Sequence, residues 1–280
     1  MLPYARNYWT VEPKNLSLEW IGNKIYLPTL KQVMKGSKAY SKKNYYYYSK
    51  YRYPKHYGAG ALSNAFLDYI KNPQTGKEAV EIDIDNKSIK FSDGTHTRYN
   101  SVVSTLSVPV LARLIKQAPE DVTEAAKRLI NTSVICVLIG LDKPKISKYS
   151  WIYFNDKNVI FFRLSFPNHF SPYTCPKGTS SIWAEIAYSN FKKINKETIV
   201  KDVIRDLKKL KIIKADYKIV TAAYVDLKNA YVIYDKNRKD NLAKIHNFLE
   251  KNNIYSCGRF AEWAYMWTYD VILSSKKLAE

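Results

Sequence analysis

The end of the chain sets the tightest limit on its architecture. Residues 254–257 form a short apolar strand pattern that runs into Gly258-Arg259, an aromatic loop follows, and Asp270 stands where a helix can open. A glycine directly after a strand permits a sharp backbone exit and a close main-chain approach to a neighbour. The start of the following helix presents unpaired N–H groups and a partial positive charge, which suits a pyrophosphate. Arg259 adds a planar fork of donors suited to oxygen acceptors. The same residues also read as a plain strand–turn–helix with Asp270 as an ordinary N-cap.

Upstream, the pattern is mixed α and β with antiparallel sheet, and not a run of βαβ units. Residues 16–35 read as short helices broken at Pro28, and Gly58 to Ile70 as one helix entered through glycines. Val80, Ile82 and Ile84 alternate with Glu81, Asp83 and Asp85, and Ile89 and Phe91 continue the alternation after a turn, which predicts a hairpin. Val102 to Leu106 reads as a short buried strand, with Pro109 in the first turn of the next helix. Strands are expected at 133–141, 151–154, 159–166, 180–188 and 216–227, with amphipathic helices at 197–210 and 237–250. The expected division is 1–57 helical and capping, 58–130 part of a cofactor domain, 131–235 an antiparallel-sheet substrate domain, and 236–280 the terminal strand–loop–helix.

Bulk properties narrow the function classes. No apolar run approaches the roughly 20 residues of a membrane span. Three cysteines lack metal-ligand spacing and their odd count argues against a disulfide framework, so a reducing, cytoplasmic setting is expected. The formal net charge is +20, but the lysines are spread over the chain and accompany abundant Ile, Asn and Tyr, which reads as compositional bias more than a partner surface. Residues 40–57 interleave Lys and Arg with tyrosines, a mixture that suits single-stranded nucleic acid. No nucleic-acid fold accompanies it, so a capping segment is the better reading and nucleic acid is not an expected partner.

The tail from Gly258-Arg259 to Asp270 resembles the second FAD-contacting motif of the amine oxidase, protoporphyrinogen oxidase and UDP-galactopyranose mutase superfamily. Four further segments match weakly but in order. They are Pro3 to Trp9 with Leu16 to Trp20; Tyr53-Pro54-Lys55-His56-Tyr57-Gly58-Ala59-Gly60-Ala61-Leu62; the hairpin ending at Asp93-Gly94; and Val103 to Pro109. Tyr57 stands where the family commonly has glycine. The family's first motif, G-x-G-x-x-G between a strand and a helix, occurs nowhere in the chain. Gly58-Ala59-Gly60 cannot replace it, because no central strand precedes it and Ser63 stands at the third glycine position.

The resemblance implies a partial FAD-binding domain of the amine oxidase type, lacking the N-terminal Rossmann βαβ, with an antiparallel-sheet substrate domain. It implies FAD as cofactor, contacted by Gly258, Arg259, Glu262, Trp263, Tyr265, Asp270, Val271, Gly58 and Gly60. Arg163, mid-strand, and Tyr231 and Tyr234, before the last long helix, are similar to mutase groups that hold a nucleotide diphosphate. Arg163 also reads as a strand residue paired with a carboxylate such as Glu185, and the two tyrosines as core. His56, in the glycine turn, is a further substrate candidate that also reads as a surface histidine. No acid–base or nucleophile constellation emerges, as befits chemistry carried by a cofactor. Three readings stand: an FAD-dependent oxidoreductase-like chain, incomplete or split; a mutase-like chain using reduced flavin on a nucleotide sugar; and a non-catalytic half that needs a second chain carrying G-x-G-x-x-G. The substrate is a small molecule: an amine, a porphyrin-like compound or a nucleotide sugar.

Overall fold

A computed structural model describes residues 2–21, 28–39 and 51–280. Part of the expected helical run at 16–35 and most of the tyrosine-rich stretch lie outside the described residues. In chain order the helices are α1 (Leu2–Trp9), α2 (Leu30–Lys38), α3 (Gly60–Asn64), α4 (Val108–Leu114), α5 (Glu120–Lys127), α6 (Ile199–Lys209), α7 (Arg238–Lys251) and α8 (Thr268–Ala279). The strands are β1 (Ala79–Asp83), β2 (Ser88–Phe91), β3 (His96–Arg98), β4 (Val102–Ser104), β5 (Asn131–Leu141), β6 (Trp151–Tyr153), β7 (Arg163–Ser165), β8 (Ser180–Tyr188), β9 (Ile219–Val232) and β10 (Ile254–Ser256).

Three sheets result. The expected hairpin is β1–β2, and β3 extends it into an antiparallel meander. The largest sheet is antiparallel, in the order β6-β7-β8-β5-β9. The third is a parallel pair in which Val102, Val103 and Ser104 of β4 face Ile254, Tyr255 and Ser256 of β10.

Alternation along β5 explains the layering of the large sheet. Ile135, Val137, Ile139 and Leu141 point to one face and pack under α6 through Ile199, Val203 and Leu207. Val134 points to the other face, where α1 covers it with Ala5, Tyr8 and Trp9 beside Phe162 and Ala187. A separate core joins α4, α5 and α7 to β1 and β10, with Trp263 inside it.

Several boundaries differ from the sequence reading for identifiable reasons. The helix expected over Gly58–Ile70 is only α3 plus a 3-10 turn at Leu67–Tyr69, and no residue of either is buried. Without a buried face, propensity alone does not sustain a longer helix. The strand expected over 159–166 contracts to Arg163–Ser165, because Asp206 captures the Ile160 N–H at 2.9 Å. β4 is half-exposed, not buried: the Val103 side chain stays 59% exposed. β9 extends past its expected end at Leu227 to Val232, so Tyr231 lies on a strand.

Candidate cofactor site

The parallel pair ends at Ser104 and Ser256, and the loop that leaves Ser256 carries the tail motif. Gly258 has φ +86°, the left-handed region that its strand-exit role requires. A Cβ there would stand 3.5 Å from Cγ1 of Val271, so the glycine also sets the approach of α8. The Gly258 N–H donates to Glu262 Oε1 at 2.8 Å, and the same oxygen accepts from the Ser274 hydroxyl. Glu262 thus ties the strand exit to α8. It faces a second cavity, between α7 and α8, beside β10.

Helix α8 opens at Thr268, and Asp270 is its third residue, not its N-cap. The Asp270 carboxylate accepts the Trp267 N–H at 2.8 Å, so an anionic side chain already serves this helix end.

Arg259 is held in an aromatic setting. Its Nη2 donates to the Ala230 carbonyl at 3.0 Å and its Nη1 to the Met266 carbonyl at 3.3 Å. The guanidinium carbon lies 5.2 Å from the Tyr265 ring centre and 5.3 Å from that of Tyr231. Its Nε is buried and has no hydrogen-bond partner. Tyr265 meets the Tyr8 hydroxyl at 3.1 Å, and the Tyr265 N–H donates to Tyr234 Oη at 2.8 Å. The Tyr8 and Tyr231 rings are 4.4 Å apart, and burial pushes the Tyr231 phenol up to about 12.

A cavity of about 730 Å³ brings the two distant motifs together. One wall is Leu62, Ser63 and Phe66, carried by α3 and the turn after it; the other is Arg259, Met266, Trp267, Thr268, Val271 and Ile272. Gly58, at φ +64°, and Gly60 are not in the wall themselves but form the bend that delivers α3 to it. Tyr57 also has a left-handed φ, +64°, with its ring 92% exposed. This is the position where the resembled pattern has glycine, so the departure leaves an L side chain in a conformation that disfavours one.

The remaining candidates fall elsewhere. The Trp263 side chain is 1% exposed inside a core, while its carbonyl accepts from Arg238, whose guanidinium stacks 3.9 Å from the Tyr234 ring centre. His56 is exposed and stacks on Tyr173 at 4.0 Å. Arg163 lies opposite Glu185 in the β7–β8 register and pairs with it bidentately, Nε to Oε1 at 2.7 Å and Nη2 to Oε2 at 2.6 Å. Burial works against its charge, but Glu185 more than compensates and holds the guanidinium well above its usual range. Cys136, next across the sheet from Glu185, has its thiol pushed up to about 12 by burial, with the carboxylate adding to it.

Phe66 and Arg238 carry no sequence signal of a site role, Ser63 enters the sequence reading only as a missing glycine, and Leu62 and Tyr8 lie in the resembled segments without an assigned role. The adjacency of Tyr8 and Trp9 was a signal for aromatic clustering. Nothing local marks Arg238, whose role depends on the loop that it meets.

A family model for flavin containing amine oxidoreductases matches residues 35–252. The fold superposes on reduced UDP-galactopyranose mutase with a TM-score of 0.84 at 23% identity, covering 95% of this chain and 59% of that one. It also superposes on a protein provisionally assigned as protoporphyrinogen oxidase from Exiguobacterium sp. 255-15, with a TM-score of 0.60 at 13% identity, over 80% of this chain and 51% of the other. The chain therefore spans little more than half the length of these structures. Among the described residues no helix is long and apolar enough to cross a membrane.

Proposed function

Because the chain belongs to the flavin containing amine oxidoreductase family, for which FAD is the cofactor, we propose that the cavity between α3 and α8 receives the flavin ring. The chain would then be the ring-side and substrate-side part of an FAD-dependent oxidoreductase acting on a small molecule. The carrying observation is the convergence of the Gly58–Phe66 and Gly258–Ile272 segments on one cavity. Flavin, when bound, supplies the electron-accepting centre.

The chain's residues supply orientation and shielding from water. Leu62, Phe66, Met266 and Ile272 offer apolar contact for a planar ring, and Arg259 brings a fixed positive charge to its edge. The Asp270 carboxylate disfavours a pyrophosphate at the start of α8, whereas an uncharged ring carbonyl meets no such opposition. The tail thus serves the ring. The ADP end of FAD must be held by a segment carrying the G-x-G-x-x-G turn, and we assign that role to a second unit.

Riboflavin tests this directly, since it has the ring and lacks the ADP end. The chain is expected to quench riboflavin fluorescence saturably, and Arg259→Met is expected to weaken binding about tenfold, or about 1.4 kcal/mol. Absence of quenching by the wild-type chain would sink the reading.

The superposition on UDP-galactopyranose mutase over 95% of the chain favours one further reading, a nucleotide-sugar mutase. In that case Tyr231 and Tyr234 would line the substrate space. Arg163, already engaged by Glu185, would act on a diphosphate only through its Nη1, which now faces the Tyr153 hydroxyl at 3.4 Å.

A further inference from the structure

A third cavity, of about 650 Å³, lies between the end of α1, the turn after β8 and the loop before α7, and it shares no residue with the candidate flavin cavity. Its wall is set by bonds within the protein. Thr10 follows α1 with φ +63°, a left-handed conformation that β-branched residues rarely adopt. The Thr10 hydroxyl reaches the Trp9 carbonyl at 2.6 Å and Ser189 Oγ at 2.7 Å, and Ser189 Oγ also accepts the Phe191 N–H at 3.0 Å. The Ser189 N–H donates to the Lys192 carbonyl at 3.0 Å, and the Lys192 N–H returns a bond to the Ser189 carbonyl at 3.3 Å. The strained residue and the turn that carries Lys192 thus hold each other in place. Strain of this kind persists where the surrounding structure over-determines it, and it clusters at ligand sites.

Lys192 is half-buried in this wall. Among the described residues no hydrogen bond or ion pair holds its Nζ. The wall has two carboxylates, and both are engaged elsewhere. Glu12 takes the Arg6 guanidinium, Nε to Oε1 and Nη2 to Oε2 each at 3.1 Å, and Asp235 accepts the Asn237 N–H at 3.1 Å. The other charges in the wall, Arg6 from α1 and Lys236 from the loop before α7, have the same sign as Lys192. Lys193, next along the chain, has it too. A lysine withdrawn from water, without a counter-ion and among cations, loses part of its preference for the charged form. Burial accordingly pulls the Lys192 ammonium below its usual range. The free amine is a nucleophile, and the ammonium is not.

The rest of the lining indicates what the amine would meet. Val11, Ile130 and Phe191 border the same space, and Phe191 stays 63% exposed. An apolar surface beside an unpaired amine suits a carbonyl electrophile with a compact apolar body.

We propose that Lys192 is a covalent capture site for small apolar aldehydes, in the cavity between the end of α1 and the turn after β8. The Nζ lone pair adds to the carbonyl carbon and the C=O electron pair moves to oxygen. The two amine protons leave with that oxygen as water, and a C=N bond remains. One amine and one aldehyde give one imine and one water, with no change of oxidation state. The site is independent of the flavin reading.

The test incubates the purified chain at neutral pH with benzaldehyde and sodium cyanoborohydride, which reduces the imine to a stable secondary amine. Each lysine is then read by peptide mass mapping. Lys192 is expected to be modified about tenfold faster than Lys193 and Lys236, and its rate to level off at a lower pH than theirs. Formaldehyde, which has no body to fill the cavity, should show a smaller preference for Lys192, and so should benzaldehyde with Phe191→Ser. Lys192→Arg should keep the melting temperature and remove the fast phase. Equal rates at Lys192 and Lys236 would overturn the proposal, as would pH profiles that level off together. Benzoate has the same body with an anion in place of the aldehyde. Protection of Lys192 by benzoate would identify an ion-pairing ammonium instead, and would also overturn the capture site.

Discussion

Arg163 shows what a single residue reveals and conceals. Its place on a strand is readable from Val159-Ile160-Phe161-Phe162 before it, although the strand begins only at Arg163, and the carboxylate that claims it is readable as a nearby candidate. The register that sets Arg163 opposite Glu185 is not readable, because it depends on how the turns between β7 and β8 resolve. The resulting pair is largely withdrawn from water, with side chains 27% and 11% exposed. Removing one partner leaves the other charge buried and uncompensated, which costs about 3 kcal/mol. Arg163→Ala is therefore expected to lower urea-denaturation stability by about that amount, and Arg163→Ala with Glu185→Leu to recover most of it. An unchanged midpoint in the single variant would show that water solvates Glu185 in the folded chain. Asp270 gives the opposite lesson. Its position at a helix start is legible, but whether it caps or sits in the first turn depends on the loop before it.

At the scale of elements, alternation and helical stripes located the meander, the long strands of the large sheet, α6 and α7, since each buries a face set by its own period. Elements that bury nothing, such as α3, or that stop where another segment takes their hydrogen bonds, such as β7, were legible in kind but not in length. The pairing of β5 with β9 depends on a position whose reason is invisible along the chain. Gly140 faces Thr221 across the two strands, and a Cβ at 140 would stand 2.8 Å from Thr221 Cγ2. Gly140→Ala is expected to cost about 1 to 3 kcal/mol through overpacking. Adding Thr221→Ser, which removes the methyl group in the way, should return most of it in thermal melts. If the second substitution restores nothing, the contact is not the cause.

For the whole molecule, acid is the informative stress. The Asn86 N–H, then the Asn86 and Gln117 amides, hold Asp83 at about 2, and Thr95 does the same for Asp93. Burial would raise Asp226, but hydrogen bonds from Lys196, Lys228 and Tyr188 hold it well below the ordinary range. Each group is depressed in the folded state, so its contribution is complete above the unfolded value of about 4 and is lost as pH falls through the folded one. Protonation also adds positive charge to a chain that already carries +20. Melting temperature is expected to hold from pH 7 to about 5 and to fall steeply between about 4 and 2, with a shallower fall in Asp83→Asn. A flat profile down to pH 2 would contradict the carboxylate contacts. The pairing of β4 with β10 has a consequence of another kind, in time. The large sheet draws its strands from residues 131–232, and four of its five strands have emerged by residue 188. Val102 must wait for Ile254. During synthesis the large sheet can take shape first, while the wall around Gly258 closes only once residues 254–272 have been made, so a chain cut short before α8 keeps its sheet and loses that wall.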